Sequence, residues 1–355
     1  MNAVADTPIN AEQQLAEVKA ITLRQVRATI SPVCNQRSLL RTLTGFAVDM
    51  LLYLACIAAA VSTDVVWLKL LAGLGAGCAV AFLFVWAHDA AHGALFENRR
   101  TAEVLGTIAM LPSLNMYRLW AFGHNRVHHG FTSLSTIDWI WRPWTPEEYA
   151  ARSPLQRKLY RIERTPWGCA LHYLIHVWWS KMIRFNPGQT PKEQRRMRNN
   201  KLLTLAFAIV ASALAFQFGG GIVGVISIVL LPFIVFNYFI ALFIYLHHTH
   251  PDIPFFVERE QWSPAIGQLF CSTVVRFSWL MEKLTHNIMI HVPHHVNPHI
   301  PFYRLPQAYA DIKQHYAQYI HEYQFSWRGM FDTFRRCKLF DYERQCWYGY
   351  DPALA

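Results

Sequence analysis

Four long apolar runs alternate with polar segments along the chain. The first two follow each other closely, at 43–61 and 66–87, and the other two, at 202–218 and 222–246, are separated by three glycines. Each run has about the 20 residues that an α-helix needs to cross a hydrocarbon core of about 30 Å. The pattern therefore predicts an all-α integral membrane protein with four transmembrane helices, arranged as two hairpins.

The basic residues lie on one side of this arrangement. One side of the membrane would carry residues 1–42, 88–201 and 247–355, whereas the other would carry only two short loops. Every Lys and Arg except Lys69 falls on the first side or at its edge. Because cytoplasmic segments of membrane proteins carry an excess of positive charge, we expect both termini and the polar segments to be cytosolic.

The polar segments divide the chain into three regions. Residues 1–42 lack the short apolar segment and small-residue cleavage site of a signal peptide, so we interpret them as a cytosolic tail. Residues 43–300 contain the spans and form the membrane domain. In 301–355, apolar residues from Leu305 to Tyr319 recur at three- and four-residue steps, which predicts a helical cytosolic cap.

The composition agrees with this interpretation. The chain of 355 residues is 53% hydrophobic and only 16% charged, whereas soluble domains carry about 25% charged residues. A net charge of +10 together with a mean hydropathy of +0.13 fits a membrane protein with a basic cytosolic face. These values argue against a disordered chain, a coiled coil or a nucleic-acid-binding tail. The seven cysteines form no Cys-x-x-Cys pair, so neither a disulfide framework nor a thiolate zinc site is predicted.

Histidine is the unusual residue type. Many of the 17 histidines fall in three clusters, at 88–92, 124–129 and 291–295, and a shorter group at 247–250 follows the last apolar run. In the first two clusters a pair of histidines is four residues apart, a spacing that places both side chains on one face of a helix. The first two clusters lie between the second and third spans, and the other two groups follow the fourth span, so helix ends that emerge close together would bring all four to one point.

The clusters predict a metal centre. Eight imidazoles packed together near an apolar boundary would leave many ring nitrogens without partners unless they bound a metal. Imidazole suits iron, zinc and copper, whereas calcium and magnesium prefer oxygen ligands. Because one ion takes about four to six ligands, we expect a binuclear transition-metal centre below the membrane, where a lipid-like substrate can reach it. These residues alone do not determine which metal is bound.

The clusters and their surroundings closely resemble the histidine boxes of the membrane fatty acid desaturase superfamily. They read HDAAHGALF from residue 88, GHNRVHHGFT from 123 and HNIMIHVPHHVNPHIPFYRL from 286. The stretch YLHHTHPDIPFF, at 245–256, and the Ile-Pro-Phe-Tyr that follows the third box are similar to omega-6 (delta-12-type) acyl desaturases. The resemblance implies an oxygen-dependent enzyme that introduces a double bond into an acyl chain.

One departure keeps other reactions open. Three residues separate His124 from His128, where many acyl desaturases have two. The longer spacing also occurs in related alkane hydroxylases and carotenoid-modifying enzymes, so a hydroxylase, an acetylenase or a carotenoid hydroxylase or ketolase remains an alternative. A membrane metal transporter is a more distant alternative. It would need ionisable residues within the spans, which offer little beyond Asp49, Asn237 and Gln217.

The resemblance also implies two iron ions, with O2 as co-substrate, held by nine histidines. The group after the last span supplies the ninth ligand, for which His248 is the first candidate, His250 the second and His247 the third. Asp89, Asn125 and Asp252 are candidates to orient an imidazole through its other nitrogen. The other eight ligands carried over from the family are His88, His92, His124, His128, His129, His291, His294 and His295.

The resemblance implies partners as well. The substrate is an acyl chain linked to a lipid, coenzyme A or a carrier protein, and the sequence does not distinguish these carriers or set the chain length. Electrons come from a separate donor such as a ferredoxin or a b-type cytochrome. Membrane lipids surround the spans, and no nucleic acid is expected. We expect the protein in a bacterial inner membrane, with its active site in the cytosol.

Overall fold

The computed structural model describes residues 11–350, so the beginning of the predicted tail and the end of the predicted cap lie outside the described residues. The described chain is mostly helical, as the apolar pattern predicts. In chain order the helices are α1 (Ala11–Ala20), α2 (Leu23–Ala28), α3 (Leu39–Val61), α4 (Val66–Ala91), α5 (Arg99–Met110), α6 (117–131), α7 (Pro146–Ala150), α8 (Pro154–Glu163), α9 (169–183), α10 (Pro191–Phe218), α11 (Ile222–His248), α12 (Trp279–Leu284), α13 (His291–Val296), α14 (Leu305–Tyr316) and α15 (Trp327–Arg336).

Four of these helices, α3, α4, α10 and α11, are long and apolar enough to cross a membrane, which confirms the four predicted spans. These helices extend beyond their apolar runs on the side that carries the histidines. Helix α4 continues past residue 87 to Ala91, and α11 continues to His248. Helix α10 begins far earlier than its apolar run, because Thr190 and Glu193 form a reciprocal capping box that starts the helix in a polar segment. The first histidine group and the group at 247–250 therefore begin on helical extensions of the spans.

Helix α4 is the central element of the membrane domain. It packs against α3 on one side and against α11 and α5 on the others. In its most apolar window 61% of the residues are buried inside the protein, compared with 11% for both α3 and α10. The outer helices expose large apolar side chains instead, which fits contact with lipid. The helix that carries the first histidines is thus the most firmly held of the four.

Short strands and turns complete the described chain. Strand β1 pairs in parallel with β2, with Thr273 opposite His321, and β3 pairs antiparallel with β4. The C-terminal cap is therefore helical and carries small strands, one of which joins it to the segment before the third box. These elements are β1 (Thr273–Arg276), β2 (His321–Gln324), β3 (Leu339–Asp341), β4 (Cys346–Tyr348), the 3₁₀ turns Pro32–Asn35, Leu111–Ser113, Arg259–Gln261, Phe302–Arg304 and Ala317–Tyr319, and a π turn at Ile266–Phe270.

The described part of the predicted N-terminal tail is folded against the rest of the protein. Val18 and Val26 are fully buried in the main hydrophobic core. The Arg27 side chain donates a hydrogen bond to the carbonyl of Val296 at the end of α13, at 2.6 Å. Residues from α1 onward thus help to hold the third histidine box in place.

Two polar residues that interrupt the apolar pattern have partners in the structure. The Asp49 carboxylate in α3 lies 2.6 Å from Nε2 of His286, and both side chains are buried. The Asn237 amide in α11 donates to the carbonyl of Phe233 one turn earlier. The Asp49 contact joins the first span to the loop before the third box, which gives this residue a structural role.

Lys69, the basic residue outside the cytosolic side, joins the two hairpins. Its ammonium group is buried and donates to the carbonyls of Ala60, at 3.0 Å, and Gly219, at 2.8 Å. These carbonyls belong to the C-terminal ends of α3 and α10, where a cation is favoured by the helix dipole and by unpaired acceptors. One lysine therefore satisfies the ends of two spans.

We expect Lys69→Met to destabilise the membrane domain by about 1–3 kcal/mol, because both carbonyls would lose a buried donor. Unfolding by sodium dodecyl sulfate in mixed micelles, followed by circular dichroism, measures this effect. Leu71→Met on the exposed face of the same helix is the matched control and should change stability by less than about 0.5 kcal/mol. Equal stability of the two variants would contradict the assigned role of Lys69.

Candidate metal centre

The second histidine box lies on a wide helix. Within α6, Phe122–His128 is π-helical, so residues five apart become neighbours on one face. The rings of His124 and His129 accordingly have their centroids 4.6 Å apart and their Nε2 atoms at 3.1 Å. His128 faces another set of ligands. The α-helical pairing of His124 with His128 expected from the sequence is therefore wrong, because the helix is wider than an α-helix here.

Nine histidines converge into two neighbouring groups at the C-terminal ends of α4 and α11. In each group the candidate ligand atoms all lie within 4.8 Å of one another. The groups touch where the rings of His129 and His295 stack, with centroids 4.1 Å apart. The five-histidine group consists of His88, His92, His124, His129 and His294, and the four-histidine group consists of His128, His248, His291 and His295.

Consecutive histidines divide between the two groups. His294 and His295 are neighbours on α13, and they face different groups because successive residues on a helix point about 100° apart. His291 and His295, four residues apart, share a group, with Nε2 atoms at 3.0 Å. The His-His pair of the second box divides in the same way. Each pair thus supplies one side chain to each candidate metal position.

A side-chain acceptor orients two members of the four-histidine group. Nδ1 of His128 lies 2.9 Å from a carboxylate oxygen of Asp138, and Nδ1 of His295 lies 2.7 Å from Oε1 of Gln268. The Gln268 amide nitrogen donates to the carbonyl of His129 at 2.6 Å, which keeps Oε1 turned toward His295. Both imidazoles therefore carry their proton on Nδ1.

Backbone carbonyls orient the other two members. Nδ1 of His248 donates to the carbonyl of Cys271 at 3.0 Å, and Nδ1 of His291 donates to that of Ile288 at 3.1 Å. A neutral imidazole with its proton on Nδ1 has a lone pair on Nε2. Yet the Nε2 atoms of His128 and His248 lie only 3.1 Å apart. Two lone pairs at this distance repel unless a cation lies between or beside them, so the donor set fits a metal ion.

The five-histidine group has a different environment. Nδ1 of His88 lies 2.9 Å from Asp89, whose other oxygen accepts the backbone N–H of Phe302 at 2.8 Å. Nε2 of His92 and Nδ1 of His129 and His294 are buried and have no partner among the described residues. Because an unpaired buried nitrogen costs free energy, this group also fits a bound cation, which would pair the Nε2 of His92.

Burial keeps these imidazoles neutral. Desolvation and, second to it, the neighbouring histidines hold the pKa of His124, His129, His294 and His295 well below its usual value. Protonated imidazoles cannot bind metal through the same nitrogen. These four imidazoles are therefore ready to bind a metal at neutral pH without first losing protons.

The other two candidates for the ninth ligand lie elsewhere. His250 lies beside Asp252 and His321 at the edge of the cap, with its Nδ1 3.3 Å from the Asp252 carboxylate. His247 stacks on His291, with ring centroids 3.6 Å apart, and its Nε2 lies 3.0 Å from Sδ of Met289. The structure brings His248 alone of these three into the two groups.

Of the three candidates to orient an imidazole, only Asp89 contacts a grouped histidine. The Asn125 amide donates to the carbonyl of Ala91, and Asp252 contacts His250. Asp138 and Gln268 were missed in the sequence analysis, since neither lies within a histidine box. Their distance in sequence from the histidines does not identify either residue. Asp138, for example, contacts His128 through a tight turn that includes Ser133 at a φ of 64°.

A third cluster resembles a metal site in composition but not in hydrogen bonding. Glu163, the last residue of α8, lies beside His172 and His176 of α9. The backbone N–H of Trp141 donates to Nε2 of His172, which leaves the proton on Nδ1, facing Glu163 at 3.5 Å. Burial would raise the pKa of Glu163, but hydrogen bonds from both histidines outweigh it and lower the pKa to about 2. The cluster is a satisfied hydrogen-bond network.

An apolar cavity opens beside the metal positions. It lies between α4 and α11 and ends at His88, His128 and His248. Apart from histidines at its inner end, its wall is entirely aromatic and aliphatic, so it suits a hydrocarbon chain. We call it the apolar cavity; its membrane side is lined by Ala81, Phe84, Val85, Phe236, Phe239, Ile240 and Phe243.

The sequence matches known proteins over most of its length. The family model for fatty acid desaturases matches residues 65–327. An omega-6 fatty acid desaturase, chloroplastic, of Glycine max is 29% identical over 318 residues, which cover 89% of this chain and 71% of the relative. An sn-1 oleoyl-lipid 12-desaturase of Picosynechococcus sp. is 33% identical over 75% of each chain. One of Synechocystis sp. is 28% identical over 95% of this chain and 93% of its own.

Proposed function

The chain belongs to the fatty acid desaturase family, and on that premise we propose that its nine grouped histidines hold two iron ions. It is an oxidoreductase that introduces a double bond into a fatty acyl chain, of the omega-6 or delta-12 type. The observation that carries the metal assignment is the set of Nε2 lone pairs that face one another in the four-histidine group, and membership of the family supports iron as the metal.

Bound iron, with O2 and electrons, supplies an oxidant able to remove hydrogen from an unactivated methylene. The contribution of the protein residues is to orient the candidate ligands. Asp138, Gln268 and the two backbone carbonyls keep the lone pairs of the four-histidine group directed at one point. Asp89 does the same for His88. Fixed ligands of this kind hold the metals against one bond of the substrate.

The acyl chain enters the apolar cavity in this proposal. Trp120 and Ile244 line it close to the histidines, and Phe236 and Phe239 line it deeper between the spans. Transfer of a hydrocarbon chain from water to these apolar walls lowers its free energy, and the chain has no polar group to desolvate. The same walls keep water from the reacting methylenes.

Electrons would come from a separate protein, such as a ferredoxin or a b-type cytochrome. The protein is an integral membrane protein with four spans. We further propose that it lies in a bacterial inner membrane, with the metal centre on the cytosolic side, which is supported by the concentration of Lys and Arg on that side.

Expression in a bacterial host with known lipids, together with a competent electron donor, tests this function. We expect a new fatty acid that has lost two hydrogens, detected by gas chromatography and mass spectrometry, and none from the His128→Ala variant. A product that has gained an oxygen would identify a hydroxylase. An unchanged lipid profile with the donor present would contradict the substrate assignment.

A further inference from the structure

Three neighbouring cavities share parts of their walls and lie in a row, which we call the path. A middle cavity shares Trp120, His124, His128 and Ile244 with the apolar cavity. A third, which we call the polar cavity, shares Trp139 and Lys181 with the middle one. The lining of the polar cavity also includes Arg142, Glu163, His176 and Ser180, and its volume is about 240 Å³. The path therefore runs from a polar end, past the histidines, to an apolar end.

The polar end lies at the level of the membrane surface. Lys201, directly before the apolar run of α10, donates to the carbonyls of Ile183 and Phe185 at the end of α9. The last turn of α9, which carries Lys181, is thus held beside the start of a span. Lipid headgroups occupy this level in a bilayer.

Two donors at the junction of the middle and polar cavities have no acceptor. The Lys181 ammonium lies 4.4 Å from the centroid of the Trp139 ring, and no carboxylate among residues 11–350 lies within ion-pair distance of it. The indole Nε1 of Trp139 is buried and also lacks a partner within the described chain. A buried donor without an acceptor, beside a cation whose partner is an aromatic ring and not a carboxylate, indicates a place for an anionic acceptor.

The other charges of the polar cavity are already paired. Arg142 binds Glu148 at 2.6 Å, and the buried Glu163 accepts hydrogen bonds from His176. Lys181 is therefore the cation that remains free to bind a ligand. Its position at the inner end of the polar cavity places that ligand at the entrance to the path toward the metals.

We propose that the polar cavity binds the phosphate-bearing head of the acyl substrate, with Lys181 and Trp139 donating to phosphate oxygens. The acyl chain then passes through the middle cavity and ends in the apolar cavity. This inference rests on the proposed desaturase function and names its substrate class, an acyl chain on a phosphate ester. A phospholipid and acyl-coenzyme A share this chemistry.

Anchoring the head has a chemical consequence. When the polar end is held at a fixed place, the bond that lies against the metals is set by the number of carbons from the carboxyl end. The subsite thereby selects which bond reacts, as well as which carrier is accepted.

Initial rates with three oleoyl substrates test the proposal. Dioleoyl phosphatidylglycerol and oleoyl-coenzyme A carry phosphate, whereas dioleoylglycerol does not. For Lys181→Met we expect the KM of the phosphate-bearing substrate that the wild type uses to rise about tenfold, with kcat changed less than about twofold, because a charge-assisted hydrogen bond is lost. For Trp139→Phe we expect a rise of about threefold. The KM of dioleoylglycerol should not change in either variant.

Lys158→Met replaces an exposed lysine on α8 outside all three cavities and is the matched control. The wild type's preference between the phospholipid and the coenzyme A ester identifies the source of the head. An unchanged KM for both phosphate-bearing substrates in Lys181→Met, or an equal rise for dioleoylglycerol, would overturn the proposal.

A binding measurement separates this inference from the proposed function. Native mass spectrometry of the detergent-solubilised protein should show dioleoyl phosphatidylglycerol or oleoyl-coenzyme A retained by wild type and Lys158→Met, and about tenfold weaker retention by Lys181→Met. If the wild type binds these substrates in this way but desaturates none of them, the proposed function fails and the subsite stands. Equal retention by all three proteins contradicts the subsite alone.

Discussion

Replacing His248 by alanine is expected to reduce bound iron from two ions per chain to one and to lower desaturation by at least about a thousandfold. The four-histidine group would keep only three imidazoles, and the Nε2 of His128 would lose its neighbour at 3.1 Å. The other three imidazoles keep their hydrogen-bond partners, so we expect the variant to remain folded while it loses the metal ion. Inductively coupled plasma mass spectrometry measures the iron, and fatty acid analysis measures the activity.

His250→Ala is the matched control for this prediction, since His250 lies beside Asp252 and His321 at the edge of the cap. We expect this variant to retain both ions and most of its activity. His247→Ala should also retain both ions, because its Nε2 faces the sulfur of Met289. Loss of one ion from either control, with full metal in His248→Ala, would show that the ninth ligand is wrongly assigned.

Asp138→Asn is expected to weaken binding of one iron ion by about 10- to 100-fold. An amide in this place can turn its NH2 toward Nδ1 of His128, which favours the tautomer with the proton on Nε2, and that tautomer cannot bind metal. The amide keeps an oxygen available for the backbone N–H of Ile140, which Asp138 now accepts at 3.1 Å. The turn should therefore remain folded.

Iron retained during titration with a chelator measures this effect. Asp252→Asn is the control, because the Asp252 carboxylate contacts His250, which belongs to neither metal-binding group. We expect Asp252→Asn to titrate like the wild type and Asp138→Asn to lose one ion at lower chelator concentration. Identical titrations of the two variants would contradict the role of the Asp138 hydrogen bond.

The spans show how much of the fold can be predicted from a local pattern of apolar residues. Apolar runs of about the required length predicted all four membrane helices and their hairpin arrangement, because a lipid environment demands continuous apolar sequence. The polar ends were not predicted. The first part of α10, from Pro191, is helical through its capping box, and the extension of α4 carries His88 on its buried side.

The histidines show the limit of the same reasoning. Their residue type and clustering indicated a metal centre, and the family resemblance implied nine ligands. The division into five and four could not be predicted, because the π-helical turn in α6 changes which histidines share a face. Sequence spacing assumes a helix of regular width.

The amino-acid sequence by itself determined the membrane architecture, the chemistry of the candidate ligands and the family, because each depends on residue type or on short, regular spacing. The tertiary structure decided which histidine after the last span joins the groups and that Asp138 and Gln268 orient two of them. It also decided that Lys181 and Trp139 meet where the middle and polar cavities adjoin. These contacts join side chains from separate helices and turns, and only the packing of those elements brings such atoms within a few ångströms.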